Sequence, residues 1–77
     1  MATQHVQQLI RMGNQIARNF AATYGADDAV ARTEEHLRRF WSVEMRLALA
    51  ESVATQHSTM DEELMRAIEL LQSRQIA

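Results

Sequence analysis

No proline interrupts this chain, and its only glycines are Gly13 and Gly25. Those two residue types make turns at low cost. A β-rich fold of 77 residues needs several tight turns, and this sequence has almost nothing to build them from. Alanine, leucine, glutamine, arginine, glutamate and methionine dominate instead, and all of them favour helix. The fold class that follows is all-α.

Apolar spacing divides the chain into four segments. From Gln4 to Tyr24, the residues Val6, Leu9, Ile10, Gly13, Ile16, Ala17, Phe20 and Tyr24 recur at helical pitch on one stripe. Gly13 lies inside that stripe, where it costs about 1 kcal/mol of helix propensity relative to alanine. Close approach of a second helix is the expected compensation. Gly25 is expected to end this helix in the left-handed conformation. Asp27 reads as the N-cap of a second helix, with Val30, Thr33, Leu37, Phe40 and Trp41 facing inward. Ser42 reads as the next cap, so a break is expected at Trp41-Ser42. A third helix then carries Val43, Leu47, Ala50, Val53 and Ala54 inward. Gln56-His57-Ser58-Thr59 is a polar break, and Thr59 with Glu62 has capping-box spacing. Met60, Leu64, Ala67, Ile68 and Leu71 form the last stripe. The predicted architecture is a compact bundle of about four short helices, with residues 1–77 as a single helical domain.

A domain this small buries only about 60–65% of its unfolded surface, so its stability margin is thin. Small scaffolds usually lean on a disulfide, a metal or a partner. The chain has no cysteine, which excludes a disulfide and a thiolate metal site. Helix packing remains, alone or with a partner.

The formal net charge is −2, against the positive excess that nucleic-acid binding requires. No apolar run approaches the roughly 18 residues of a membrane span. Neither nucleic acid nor a membrane is therefore an expected partner, and a cytoplasmic location is expected. Catalytic machinery is not evident. The histidines His5, His36 and His57 are far apart in sequence, and His57-Ser58 is adjacency without an orienting third group. Glu35 and His36 are neighbours that face different directions on a helix. Asp61, Glu62 and Glu63 open a helix, where carboxylates meet the positive end of its dipole. No catalytic residue, metal ligand or cofactor site is predicted in this chain, so its function is expected to be protein binding.

Two features suggest where. In His36-Leu37-Arg38-Arg39-Phe40-Trp41, the apolar residues fall at i, i+3 and i+4 and read first as core. Trp41 stands at a helix end, and tryptophan is enriched at interface hot spots. Arg38 and Arg39 fit a solvated face or an interface equally well. Met12, Met45 and Met65 project away from the inward stripes, and Leu49 lies one turn after Met45. A Met-Leu-Trp patch rimmed by Arg38, Arg39 and Arg46 is the docking surface this pattern predicts.

Two segments carry a resemblance to a known family. Leu9-Ile10-Arg11-Met12-Gly13-Asn14-Gln15-Ile16-Ala17, followed by Phe20-Ala21, is similar to a family pattern L-I/V-x-M-A-N-Q-I. His36-Leu37-Arg38-Arg39-Phe40-Trp41, followed by Met45-Arg46, is similar to H-L-R-R-F-W-D-P-x-M-R. Both patterns belong to the small delta subunit of NAD-dependent, molybdenum-containing formate dehydrogenase. Gly13 stands where the family has alanine, and Ser42-Val43 stands where it has Asp-Pro. The resemblance implies a non-catalytic accessory subunit of a cytoplasmic enzyme that oxidises formate and reduces NAD. It implies a large catalytic subunit as partner and a role in that subunit's assembly or stability. The molybdenum cofactor, iron–sulfur clusters, FMN and NAD then reside on other subunits. Motif position or patch membership gives the candidate partner-binding residues Met12, Asn14, Arg38, Arg39, Trp41, Met45, Arg46 and Leu49. The alternatives are a small helical DNA-binding protein, using Arg38, Arg39 and Arg46 on phosphates, and a self-associating protein that forms a homodimer in isolation.

Overall fold

The joint at Gly25 sets the first chain reversal. Its N–H donates to the Ala21 carbonyl at 2.9 Å, and its own carbonyl accepts from the Ala29 N–H at 3.0 Å. One residue thus closes one helix and opens the next. Its φ of 92° is one that residues with a side chain rarely adopt. Its ψ of 163° is extended, so the expected left-handed C′ geometry is not formed. Gly25, not Asp27, is the N-cap, and Asp27 and Asp28 lie in the first turn, where they meet the positive helix end.

The computed structural model describes residues 2–76, with side chains for 5–74. Within that span four α-helices follow in order: α1 (Ala2–Tyr24), α2 (Ala26–Phe40), α3 (Val43–Gln56) and α4 (Glu62–Ile76). A single 3₁₀ turn, His57–Thr59, precedes α4, and there is no strand among the described residues. The all-α bundle read from the sequence is the fold observed.

After the Gly25 joint, α2 folds back along α1, which brings Arg32 over Tyr24 and Phe20 beside His36. Ion pairs Asp27–Arg66 at 3.7 Å and Glu34–Arg74 at 3.3 Å advance together along both helices, so α4 runs parallel to α2. The core gathers Leu9, Ile10 and Ala17 from α1, Leu37 and Trp41, Leu49 from α3, and Met60, Leu64, Ile68 and Leu71. Each fully buried leucine contributes about 1.5–3 kcal/mol, a large share of the few kcal/mol by which a domain of this size is stable.

Gly13 meets its expectation. A Cβ placed there would lie 3.0 Å from both δ carbons of Leu64, so the missing side chain is what lets α4 approach α1. Ser42 also behaves as expected: its hydroxyl accepts from the Met45 N–H at 3.1 Å and caps α3. The Thr59–Glu62 capping box is not formed. Thr59 instead donates its hydroxyl back to the Gln56 carbonyl at 2.8 Å. The helix begins later, where the Asp61 carbonyl accepts from the Met65 N–H at 3.1 Å.

The inward face of α3 is rotated from the expected one. Leu49 and Ser52 are its buried residues, with Met45, Ala48 and Val53 partly buried beside them, while Val43 and Leu47 are exposed. Apolar side chains surround this helix almost completely, so periodicity alone does not choose a face. Phe40, expected inside, is 70% exposed: it lies against His36 on the flank of the stripe, while Leu37 and Trp41 take the core. Glu34 was not anticipated there at all. It is 1% exposed, and its two carboxylate oxygens take Arg38 at 2.9 Å and Arg74 at 3.3 Å. Paired this way, the buried charge is tolerable.

Candidate partner interface

The eight candidate residues divide between the inside and the outside. Asn14 is an internal clamp: its amide donates to the Thr59 carbonyl at 2.8 Å, and its Oδ1 accepts from the Asp61 N–H at 2.9 Å. Trp41 is 7% exposed and Leu49 is fully buried, so neither presents a surface to a partner. Met45 is half-buried against the same core. The predicted Met-Leu-Trp patch is therefore not formed. Its members turn inward because α3 buries the Met45–Leu49–Ser52 stripe and because Trp41 occupies the extended joint between α2 and α3.

Outside are Met12, Arg38 and Arg39, with Arg46 half-buried. Arg38 is engaged with Glu34, and Arg39 with Glu35 at 3.4 Å. The hydrogen bond that Arg38 donates to Glu34, reinforced by the carboxylate's charge, raises the Arg38 guanidinium above its ordinary pKa, and Asp61 does the same for Arg18. The Arg46 Nε is shielded from solvent and has no hydrogen-bond partner among the described residues.

A different surface is assembled from both sides of the Gly25 joint. Tyr24, Phe20, His36 and Phe40 form a ladder of rings with successive centroids 6.3, 6.3 and 4.9 Å apart. Such spacings are those of attractive aromatic contacts. The Arg32 guanidinium lies 3.6 Å from the Tyr24 ring centroid, a close cation–π contact. Arg39 lies 6.0 Å from the Phe40 ring. Between α1 and α2, Phe20, Arg32, Glu35, His36, Arg39 and Phe40 line a hollow of about 120 Å³, and a second hollow of about 240 Å³, lined by Ile16 and Asn19, adjoins it across Phe20 and His36. Both fall below the roughly 300–1,000 Å³ of a small-molecule site. They have room for protruding side chains of another protein, and aromatic residues with arginine are the composition enriched at protein interfaces.

Reading each helix by itself placed Phe20 and Phe40 in the core and so missed this groove. The available signal was the position of Phe20, Tyr24 and Phe40 at the ends of their stripes, beyond the residues a bundle this short can cover. Among the described residues no three His, Asp or Glu side chains converge as metal ligands, and none of the described helices is long and apolar enough to cross a membrane.

Comparison with known families adds one finding. Residues 8–68 match the family described as the NADH-dependent formate dehydrogenase delta subunit, FdsD. The matched span runs from α1 into the second half of the α4 core stripe and includes both aromatic ends of the groove. Neither the curated proteins nor the solved structures give a significant match. This chain belongs to the family of NADH-dependent formate dehydrogenase delta subunits.

Proposed function

We propose that this chain is a non-catalytic accessory subunit of a cytoplasmic formate dehydrogenase, and that it acts by binding the large molybdenum-containing subunit and supporting its assembly or stability. The family match over residues 8–68 carries this reading. Exposed rings bordered by arginines supply a surface of the right chemistry for a protein partner. In this reading the molybdenum cofactor, iron–sulfur clusters, FMN and NAD are bound by other subunits.

The physical mechanism is mass action. A ligand that binds only the folded form of its partner stabilises it by about 2.7 kcal/mol at a hundredfold excess over Kd. The same linkage stabilises this chain, whose own core is small. The test is to express the large subunit with and without this chain and to measure soluble, molybdenum-loaded large subunit in each. A several-fold loss without the chain supports the reading. Equal yield, equal metal content and equal thermal stability contradict it.

A further inference from the structure

We propose that the α1–α2 groove is the surface that seats the large subunit, and that it takes a segment of that subunit presenting neighbouring apolar side chains flanked by carboxylates. This rests on the accessory-subunit reading above and assigns it a site.

The charge of the rim names the partner's chemistry. Arg32 has no carboxylate within 4.0 Å among the described residues, although its guanidinium is already held over Tyr24. Across the hollow, Arg39 shares the groove's one lining carboxylate, Glu35. The rim thus carries two arginines against one glutamate, on a chain whose formal net charge is −2. An acidic, apolar segment complements it, and a positioned cation needs little further ordering when such a partner arrives.

The occupants compete unequally for this surface. A second copy related by a two-fold axis brings the same arginine-bearing rim, and its single lining carboxylate is already engaged. The outer face of α3 also exposes Val43 and Leu47, but as two aliphatic side chains on a convex helix, which is ordinary for a protein surface. Phe40 is different. It is the most exposed large apolar residue among those described, and it borders a concavity that Phe20 and His36 also line, with Arg32, Glu35 and Arg39 at its rim. The segment His36–Trp41 divides accordingly: Leu37 and Trp41 hold the core, Arg38 holds Glu34, and His36, Arg39 and Phe40 line the groove.

The test measures binding of full-length variants to the cognate large subunit by calorimetry, with helicity checked by circular dichroism. Phe40→Ala is expected to weaken binding at least about tenfold. Arg32→Glu with Arg39→Glu is expected to weaken it by a similar factor, with a salt dependence flatter than that of the wild type. Val43→Ser with Leu47→Ser is expected to stay within about threefold. Wild-type affinity in both groove variants, with loss in the α3 variant, overturns the groove assignment and leaves the accessory-subunit reading standing. A wild-type chain that does not bind the large subunit at all overturns both. A homodimer that Phe40→Ala dissociates, with large-subunit binding unchanged, gives the groove to a second copy and also overturns the assignment.

Discussion

Asn14 Oδ1 accepts the Asp61 backbone N–H at 2.9 Å while the same side chain's amide donates to the Thr59 carbonyl at 2.8 Å. One α1 side chain thereby satisfies both flanks of the turn that leads into α4. Asp61 completes the joint by receiving Arg18 at 2.6 and 3.2 Å. Asn14→Leu leaves a backbone donor and a backbone acceptor without partners at a site that is 8% exposed. The expected loss is about 2–6 kcal/mol, taking about 1–3 kcal/mol for each of the two unsatisfied groups. Chemical denaturation reads it as a lower midpoint with an unchanged slope.

Gly13→Ala sets two effects against each other. Alanine gains about 1 kcal/mol of helix propensity. Its Cβ, however, meets both δ carbons of Leu64 at 3.0 Å, and Leu64 is fully buried in the core. Overpacking costs about 1–3 kcal/mol, so the substitution is expected to destabilise by up to about 2 kcal/mol. In a Leu64→Val background the opposing methyls are gone, and the same change at Gly13 is expected to stabilise. A double-mutant cycle in denaturant measures the coupling.

Trp41 and Phe40 are adjacent in sequence and opposite in environment. Trp41→Ala removes a core ring and is expected to cost about 3–5 kcal/mol, enough to unfold much of a domain of this size. Phe40→Ala is expected to change stability by no more than about 0.5 kcal/mol. The native emission of Trp41, the one tryptophan in the chain, is expected to be blue-shifted relative to the denatured protein. A red-shifted native spectrum contradicts this placement.

Much of the bundle was legible because α1 and α4 have clean stripes. Leu9, Ile10 and Ala17, and later Leu64, Ala67, Ile68 and Leu71, are buried where helical pitch placed them. The phase of α3 was not legible. Val43, Met45, Leu47, Ala48, Leu49, Ala50, Val53 and Ala54 surround the helix, and only packing against its neighbours selects Met45 and Leu49 over Val43 and Leu47. Nor could spacing place the candidate surface. Phe20 and His36 meet because of the geometry at Gly25, and His36 belongs to no apolar stripe that would point to the contact. Asn14 stands out in the sequence only as a motif residue, because its partners lie in a turn whose shape spacing does not disclose.

The burial of Glu34 is likewise not legible from spacing, since glutamate on a helix ordinarily faces water. Its carboxylate joins α2 to the last turn of α4 through Arg74 and is braced by Arg38 from its own helix. Glu34→Ala is expected to destabilise by about 2 kcal/mol and to increase amide hydrogen exchange in the final turns of α4. Glu34→Leu, which fills the volume without a buried charge, is expected to recover most of the stability while leaving the final turn of α4 faster to exchange. Equal protection of α4 in wild type and Glu34→Leu contradicts a stapling role for the ion pair.

The most direct measurement of the central claim is the mass of the species formed when this chain and the cognate large formate dehydrogenase subunit are co-expressed and run through size exclusion with light scattering. The account predicts one co-eluting complex that contains both chains and persists on dilution to micromolar concentration. Separate elution of the two chains, each at its own mass, contradicts it.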